Sequence, residues 1–248
     1  MELFFLTLAG FFAGFVDAIV GGGGLIFLPT LLALGIPPVT ALGSNKAVGI
    51  STAIASTTKY AHSKQIKWLH IKVLIPCALV ASIAGAYTAT NIDPKVLSWV
   101  IPLALTVIFI YLLVKKDAGQ LHKDLLPSKW GFVIFPAIAF YDGFIGPGTG
   151  TFLCVSFITI YGYSLLPATA NSKLLNLTSN LGALLFFSFH HAIQLELVWT
   201  ACIASFVGGY LGAKYAIRIG SKRIRPLFIT YIGLLLTKLL YDLFEKGF

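Results

Sequence analysis

The sequence predicts an all-α polytopic membrane protein with two inverted repeats of about five apolar segments each, interrupted by glycine-broken short or re-entrant helices. Three observations carry that expectation. The composition is too apolar for a soluble domain. An acid-and-glycine pattern occurs twice. The basic residues sit in short loops whose order gives the two halves opposite orientations.

Of the 248 residues, 57% are hydrophobic and only 11% charged, with a mean hydropathy of +0.88; soluble domains carry about 25% charged residues. Apolar runs such as 71–90 and 95–114 approach the roughly 20 residues a helix needs to cross a bilayer. The longest polar stretch is 115–129, so 1–248 reads as one transmembrane domain in contact with membrane lipid. A net charge of +9 would suit nucleic acid if it covered a solvated face. Here it is confined to short loops, where it sets topology, and no nucleic-acid partner is expected. Cys77, Cys154 and Cys202 stand singly in apolar segments, without metal or disulfide spacing. The first segment starts Met1-Glu2-Leu3 with no basic region ahead of it, so no cleavable signal is expected.

Along the chain the apolar pieces fall at about 3–20, 24–35, 40–58, 71–90, 95–114, 130–146, 149–163, 167–187, 195–215 and 226–244. All should be helical, because a segment in lipid must satisfy its own backbone. Pieces 24–35 and 149–163 are short, and each follows a glycine break. Whether they cross or re-enter is left open by their length. The second five pieces resemble the first five. At an offset of 127 residues, Gly35, Ala41, Lys46 and Gly85–Ala86 meet Gly162, Ala168, Lys173 and Gly212–Ala213. At an offset of 125, Asp17, Gly21 and Gly23 meet Asp142, Gly146 and Gly148. Repeat 1 is therefore 1–114 and repeat 2 is 130–248, joined by a linker at 115–129.

Loop charge orients the copies. Loop 59–72 carries Lys59, Lys64, Lys67 and Lys72, and loop 214–225 carries Lys214, Arg218, Lys222, Arg223 and Arg225; both belong in the cytoplasm. The linker 115–129 leans the same way. Loops 91–95 and 188–196 lack that excess and belong outside. The loop after the third piece is then inside in one copy and outside in the other, and both termini lie on the non-cytoplasmic side. Inverted repeats place a substrate site near the midplane at their interface.

Four charges fall inside or at the edge of apolar pieces: Asp17, Asp142, Lys46 and Lys173. Each costs about 2.5–3.5 kcal/mol at a helix centre on insertion scales, so each is a functional candidate. Three readings stay open. Asp17 could pair with Lys46, and Asp142 with Lys173, as structural ion pairs. The lysines could attract an anion while the aspartates hold the glycine breaks or carry a coupling proton. Or all four could snorkel to water. Polar residues gather around the lysines in GSNKAVGIST (43–52) and ANSKLLNLTSN (170–180). Lys173, Asn176 and Asn180 share one helical face, as do Asn45 and Thr52. The bland alternative is interhelical hydrogen bonding, and it fits the Ser and Thr residues best. Asn45, Asn171, Asn176 and Asn180 join the lysines as candidate ligand contacts. So do Gly21, Gly22, Gly23, Gly24, Gly146, Gly148, Thr149 and Gly150, where glycine can leave backbone amides to face a ligand. These groups are hydrogen-bond donors, which suits a small anionic substrate.

Other features carry less. Gly10 with Gly14, and Gly208 with Gly212, have the spacing of close helix packing. The adjacent His190 and His191 make a poor metal site, and GGGG lacks the strand and helix of a dinucleotide fingerprint. No catalytic constellation, metal site or cofactor is expected. The pattern is equally compatible with a monomer and a homodimer.

Four motifs in order, DAIVGGGGLIFLP (17–29), GSNK (43–46), YDGFIGPGTGTF (141–152) and NSKLLNLTSN (171–180), resemble the sulfite exporter TauE/SafE family, closest to its YfcA-like bacterial branch; LGAKYAIRIGSKRIRPLF (211–228) is similar too. The likeness runs over nearly the whole chain. It implies a multi-pass inner-membrane transporter of sulfite, sulfonates or related sulfur-containing organic anions, with its site at the two glycine motifs and the lysine-bearing third helices. Related sequences more often carry alanines where this chain reads Gly146–Pro147–Gly148–Thr149. Without an ATP site, a gradient or the membrane potential would drive flux, so secondary transport is expected. An anion channel shares these features and differs in kinetics, since its flux would not saturate. A non-transporting scaffold gains little from symmetric buried charge. An enzyme would need converging nucleophiles or metal ligands.

Overall fold

A computed structural model describes residues 2–91 and 129–246. The expected piece 95–114 and nearly all of the linker lie outside the described residues. All described regular structure is helical: α1 (Glu2–Val20), α2 (Gly24–Ala33), α3 (Pro38–His62), α4 (Trp68–Ile71), α5 (Leu74–Ala89), α6 (Gly131–Phe144), α7 (Thr149–Tyr161), α8 (Leu165–Phe189) and α9 (Leu195–Lys246). Local chemistry sets the ends. Pro38 opens α3 at a position where its missing N–H costs nothing. Gly162, in the left-handed region at φ 66°, closes α7. The expected pieces 195–215 and 226–244 join as α9, but the backbone leaves helical geometry at Gly220 (φ 72°, ψ 171°), where two helical stretches meet at a kink.

Polarity is distributed the opposite way to a soluble protein. Lys46, Lys173, Asp142, Asn171 and Ser179 are buried, while Phe4, Phe5, Val80, Phe132, Val133, Trp199 and Ile203 are exposed. An exposed apolar surface this extensive would be unstable in water and is what lipid requires. Leu3–Val20 and Leu195–Gly220 are long and apolar enough to cross a membrane, while α2, α5, α6 and α7 are shorter apolar helices.

Two groups of helices form the bundle. α1 lies along α9, which also packs on α3; α6 lies along α5, which also packs on α8. The groups meet through α3 and α8. α2 rests on α1 and α3, and α7 on α6 and α8. Glycines permit the closest approaches. A Cβ at Gly10 would stand 2.7 Å from the Ala201 carbonyl oxygen, and one at Gly212 or Gly208 would meet the backbone of α1. On the other side, Cβ atoms at Gly85 and Gly143 would meet the Phe140 and Ser82 carbonyls. With no apolar driving force between helices in lipid, such packing holds them together. We predict that Gly14→Val, which would press on the Ser205 carbonyl, lowers stability by about 1–3 kcal/mol through overpacking, measured by denaturation in detergent against Gly35→Val. No atom lies within 4 Å of a Cβ at Gly35, so that control carries backbone strain alone.

Candidate functional site

The site is built on the two glycine breaks. Helix α1 ends at Gly21, whose φ of +80° turns the chain out of the helix. Asp17, one turn earlier, spans this break. Its carbonyl accepts the Gly21 N–H at 2.9 Å and its Oδ1 accepts the Gly23 N–H at 3.0 Å. In the second half, Gly146 (φ +92°) and Gly148 (φ +84°) turn the chain between α6 and α7. There the Tyr141 hydroxyl donates to the Pro147 carbonyl at 2.7 Å, and the Thr149 hydroxyl to the Gly146 carbonyl at 2.7 Å.

The breaks touch each other. The Thr151 N–H donates to the Gly21 carbonyl at 3.0 Å, and its hydroxyl to the Val20 and Gly21 carbonyls at 2.9 and 2.8 Å. A Cβ on Gly150 would lie 2.6 Å from the Gly21 Cα, so only glycine allows this approach.

The four buried charges form two pairs, and the pairs cross between halves. Lys46 Nζ on α3 lies 2.8 Å from Asp142 Oδ1 on α6 and also donates to the Asp142 carbonyl. Lys173 Nζ on α8 lies 2.7 Å from Asp17 Oδ2 on α1. This corrects the pairing of Asp17 with Lys46 and Asp142 with Lys173 that the sequence offers as one alternative. The reason is the contact of the two breaks, which sets each third helix against the break of the other half. Snorkelling is also excluded for three of the four, since Lys46, Asp142 and Lys173 are 1%, 2% and 0% exposed.

The pairs are not equivalent. Asp142 Oδ2 accepts from Asn176 Nδ2 at 3.3 Å and from the Ser179 hydroxyl. Asp142 is thus held by three side-chain donors. Asp17 is held by Lys173 and one amide, and it is 14% exposed.

A cavity opens between the breaks. The cavity has a volume of about 40 Å³, and one water needs about 10–15 Å³; the space suits about three waters or one small oxyanion. Of the residues singled out by sequence, Asp17, Gly21–Gly24, Asn45, Lys46, Asp142, Gly146, Gly148, Thr149, Gly150, Asn176 and Asn180 line it. Lys173 and Asn171 do not. Lys173 stands one glycine behind the wall: a Cβ on Gly150 would be 3.1 Å from its Nζ. Asn171 donates to the Pro167 carbonyl at 2.7 Å and accepts the Lys67 N–H at 3.1 Å, tying α8 to the basic loop before α4. We predict that Asn171→Ala costs about 1–2 kcal/mol of stability by removing both hydrogen bonds, read by thermal unfolding in detergent.

Phe27, Gly49 and Thr52 also line the cavity. Only Thr52 carried a signal, through the helical face it shares with Asn45. The N–H groups of Gly24, Gly148 and Gly150 donate to no acceptor among the described residues. Helices α2 and α7 both begin here, so the positive ends of two helix dipoles meet at the cavity. Among the described residues no group of three His, Cys, Asp or Glu side chains is placed to hold a metal.

An apolar-faced helical bundle with a charge-paired polar cavity at two backbone breaks defines a multi-pass membrane protein with a buried polar cavity. The chain belongs to the sulfite exporter TauE/SafE family, whose profile matches residues 6–239. Membership places it among membrane transporters rather than enzymes. It is similar to "Probable membrane transporter protein ORF9" of Sinorhizobium sp, 37% identical over 97% of this chain and 93% of the relative. It is 33% identical to "Probable membrane transporter protein YfcA" of Escherichia coli K12, over 97% and 89% of the two chains. A "Probable membrane transporter protein" of Haemophilus influenzae is 31% identical over 96% and 94%. No solved structure matches significantly.

Proposed function

We propose that the chain is a secondary transporter of a small anion, such as sulfite or a small sulfonate, working by alternating access between two inverted repeats in a bacterial inner membrane. The observation that carries this reading is the convergence of Lys46, Asn45, Asn176, Asn180 and two helix N-termini on one cavity of oxyanion size. Donors and positive dipole ends at a break in the membrane are the means by which transporters hold anionic groups. Lys46 is the nearer cation and Lys173 the second, reached through the glycine wall. The N–H groups of Gly24, Gly148 and Gly150 are the amides placed to meet the oxygens.

The repeat reading is supported by the packing. α1 on α9 corresponds to α6 on α5, and α9 on α3 corresponds to α5 on α8. The crossed ion pairs follow the same correspondence. Each half would then hold the other's break, and rocking one half against the other would open the cavity to alternate sides. The basic stretches 59–72 and 214–225, the second now part of α9 around the Gly220 kink, would face the cytoplasm and leave both termini outside.

The test is uptake into proteoliposomes of labelled sulfite, sulfate, thiosulfate and methanesulfonate. Saturable uptake with counterflow is expected for at least one of them. Non-saturating flux without counterflow would favour a channel, and no flux of any would remove the sulfur-anion reading.

A further inference from the structure

The charge around the cavity sums to zero. Lys46 is matched by Asp142 and Lys173 by Asp17, both within 3 Å or less. A monoanion entering this desolvated space would leave one buried negative charge without a partner, at a cost of several kcal/mol. Something must neutralise it, and the two carboxylates differ in their capacity to do so. Asp142 Oδ1 faces Lys46, and its Oδ2 faces both Asn176 and Ser179. A proton there would have to displace donors from a carboxylate that is 2% exposed. Among the described residues Asp17 has one donor on each oxygen, Gly23 N–H on Oδ1 and Lys173 on Oδ2. Each oxygen therefore keeps room for a second partner. Asp17 lines the cavity and is 14% exposed, while Lys173 does not line it.

Resting on the anion-transport reading, we infer that Asp17 is the proton-coupling site and that its protonation releases Lys173 to serve as the counter-charge of the bound anion. The sum then closes. Protonated Asp17 is neutral, Asp142 offsets Lys46, and Lys173, beside Gly150 at the cavity wall, offsets the anion. One proton travels with each monoanion. The groups facing Asp17 fit this role. On α8 the partner is Lys173. On α3 the Tyr60 hydroxyl is engaged by the Ala18 carbonyl at 2.8 Å. On α7 Cys154 is buried against Thr169. On α9 Tyr215 packs on Phe15 at 6.1 Å, and Lys214 and Arg218 are exposed. Among the described residues Lys173 is the cation paired with Asp17, while Lys46, on the same cavity, is paired with Asp142.

Two measurements test this. The first is an infrared titration of the purified protein in lipid, which needs no substrate. A buried protonated-carboxyl band should grow as pH falls, vanish in Asp17→Asn and persist in Asp142→Asn. In Lys173→Gln, which keeps the acid but removes its cation, the band should appear at higher pH. A band that survives Asp17→Asn, or one unmoved by Lys173→Gln, overturns the assignment even if one variant folds poorly. The second is transport of labelled methanesulfonate, an anion that does not itself titrate near neutral pH, compared with sulfite and thiosulfate. In Asp17→Asn the ratio of pH-gradient-driven accumulation to counterflow should fall about tenfold for each pH unit imposed, since one proton no longer travels with each monoanion and about 1.4 kcal/mol is tenfold. An unchanged ratio overturns the coupling role. Absence of counterflow in the native protein for every anion counts against anion transport itself, and the infrared titration then still decides where the proton binds.

Discussion

Lys46→Gln should abolish transport and destabilise the protein by about 3–5 kcal/mol, because removing one member of a buried pair strands the other charge. The stranded group is Asp142, 2% exposed and left, among the described residues, with Asn176 and Ser179 as side-chain donors. The partner of Lys46 is defined by geometry, so rescue is directional. Asp142→Asn placed on top of Lys46→Gln should restore most of the stability, since a neutral amide no longer needs a cation. Asp17→Asn on the same background should restore none, because Asp17 belongs to Lys173 at 2.7 Å. Activity should stay lost in both double variants, as the cavity then lacks its nearer cation. Denaturation in detergent gives the stability and proteoliposome counterflow the activity. Rescue by Asp17→Asn in place of Asp142→Asn would mean the halves pair internally.

The helices and most of the residues that line the cavity were legible in the sequence, and the partnerships were not. Hydropathy located the described segments to within a few residues, because a helix in lipid has no alternative way to satisfy its backbone. The pieces 195–215 and 226–244 run on as α9 with a kink at Gly220, and hydropathy carries no information about a kink. The acid–glycine repeats pointed to the cavity because polar residues and glycine are expensive in lipid unless used. Periodicity failed where reach and depth mattered. Lys173 shares a helical face with Asn176 and Asn180, yet its long side chain passes behind Gly150 to Asp17. Asn171 sits in the same polar stretch but serves the Lys67 loop. Pairing across halves could not be read from spacing within a half. Nor could the asymmetry of the breaks, where Gly23 is helical at φ −56° and its counterpart Gly148 is left-handed at φ +84°.

The contact between the breaks yields the second large effect, at Gly21. Gly21→Ala meets two obstacles. An L-residue at φ +80° costs about 1–2 kcal/mol. The new methyl would also press on the Gly150 carbonyl carbon and lie 2.6 Å from the Thr151 nitrogen, and overpacking of that kind costs about 1–3 kcal/mol more. The total is about 2–5 kcal/mol. Gly35→Ala isolates the first cost, because Gly35 has nearly the same φ of +76° with nothing within 4 Å of its Cβ position. It should therefore lose only about 1–2 kcal/mol. Function should separate the two more sharply than stability does. The Thr151 bonds to the Val20 and Gly21 carbonyls hold the breaks in register around the cavity, and a methyl at Gly21 forces them apart. Gly21→Ala should then lose saturable uptake under conditions where most of the protein is still folded, while Gly35→Ala should keep it. Equal stability loss in the two variants would show that the breaks do not touch, and that the cavity between them is not held as described.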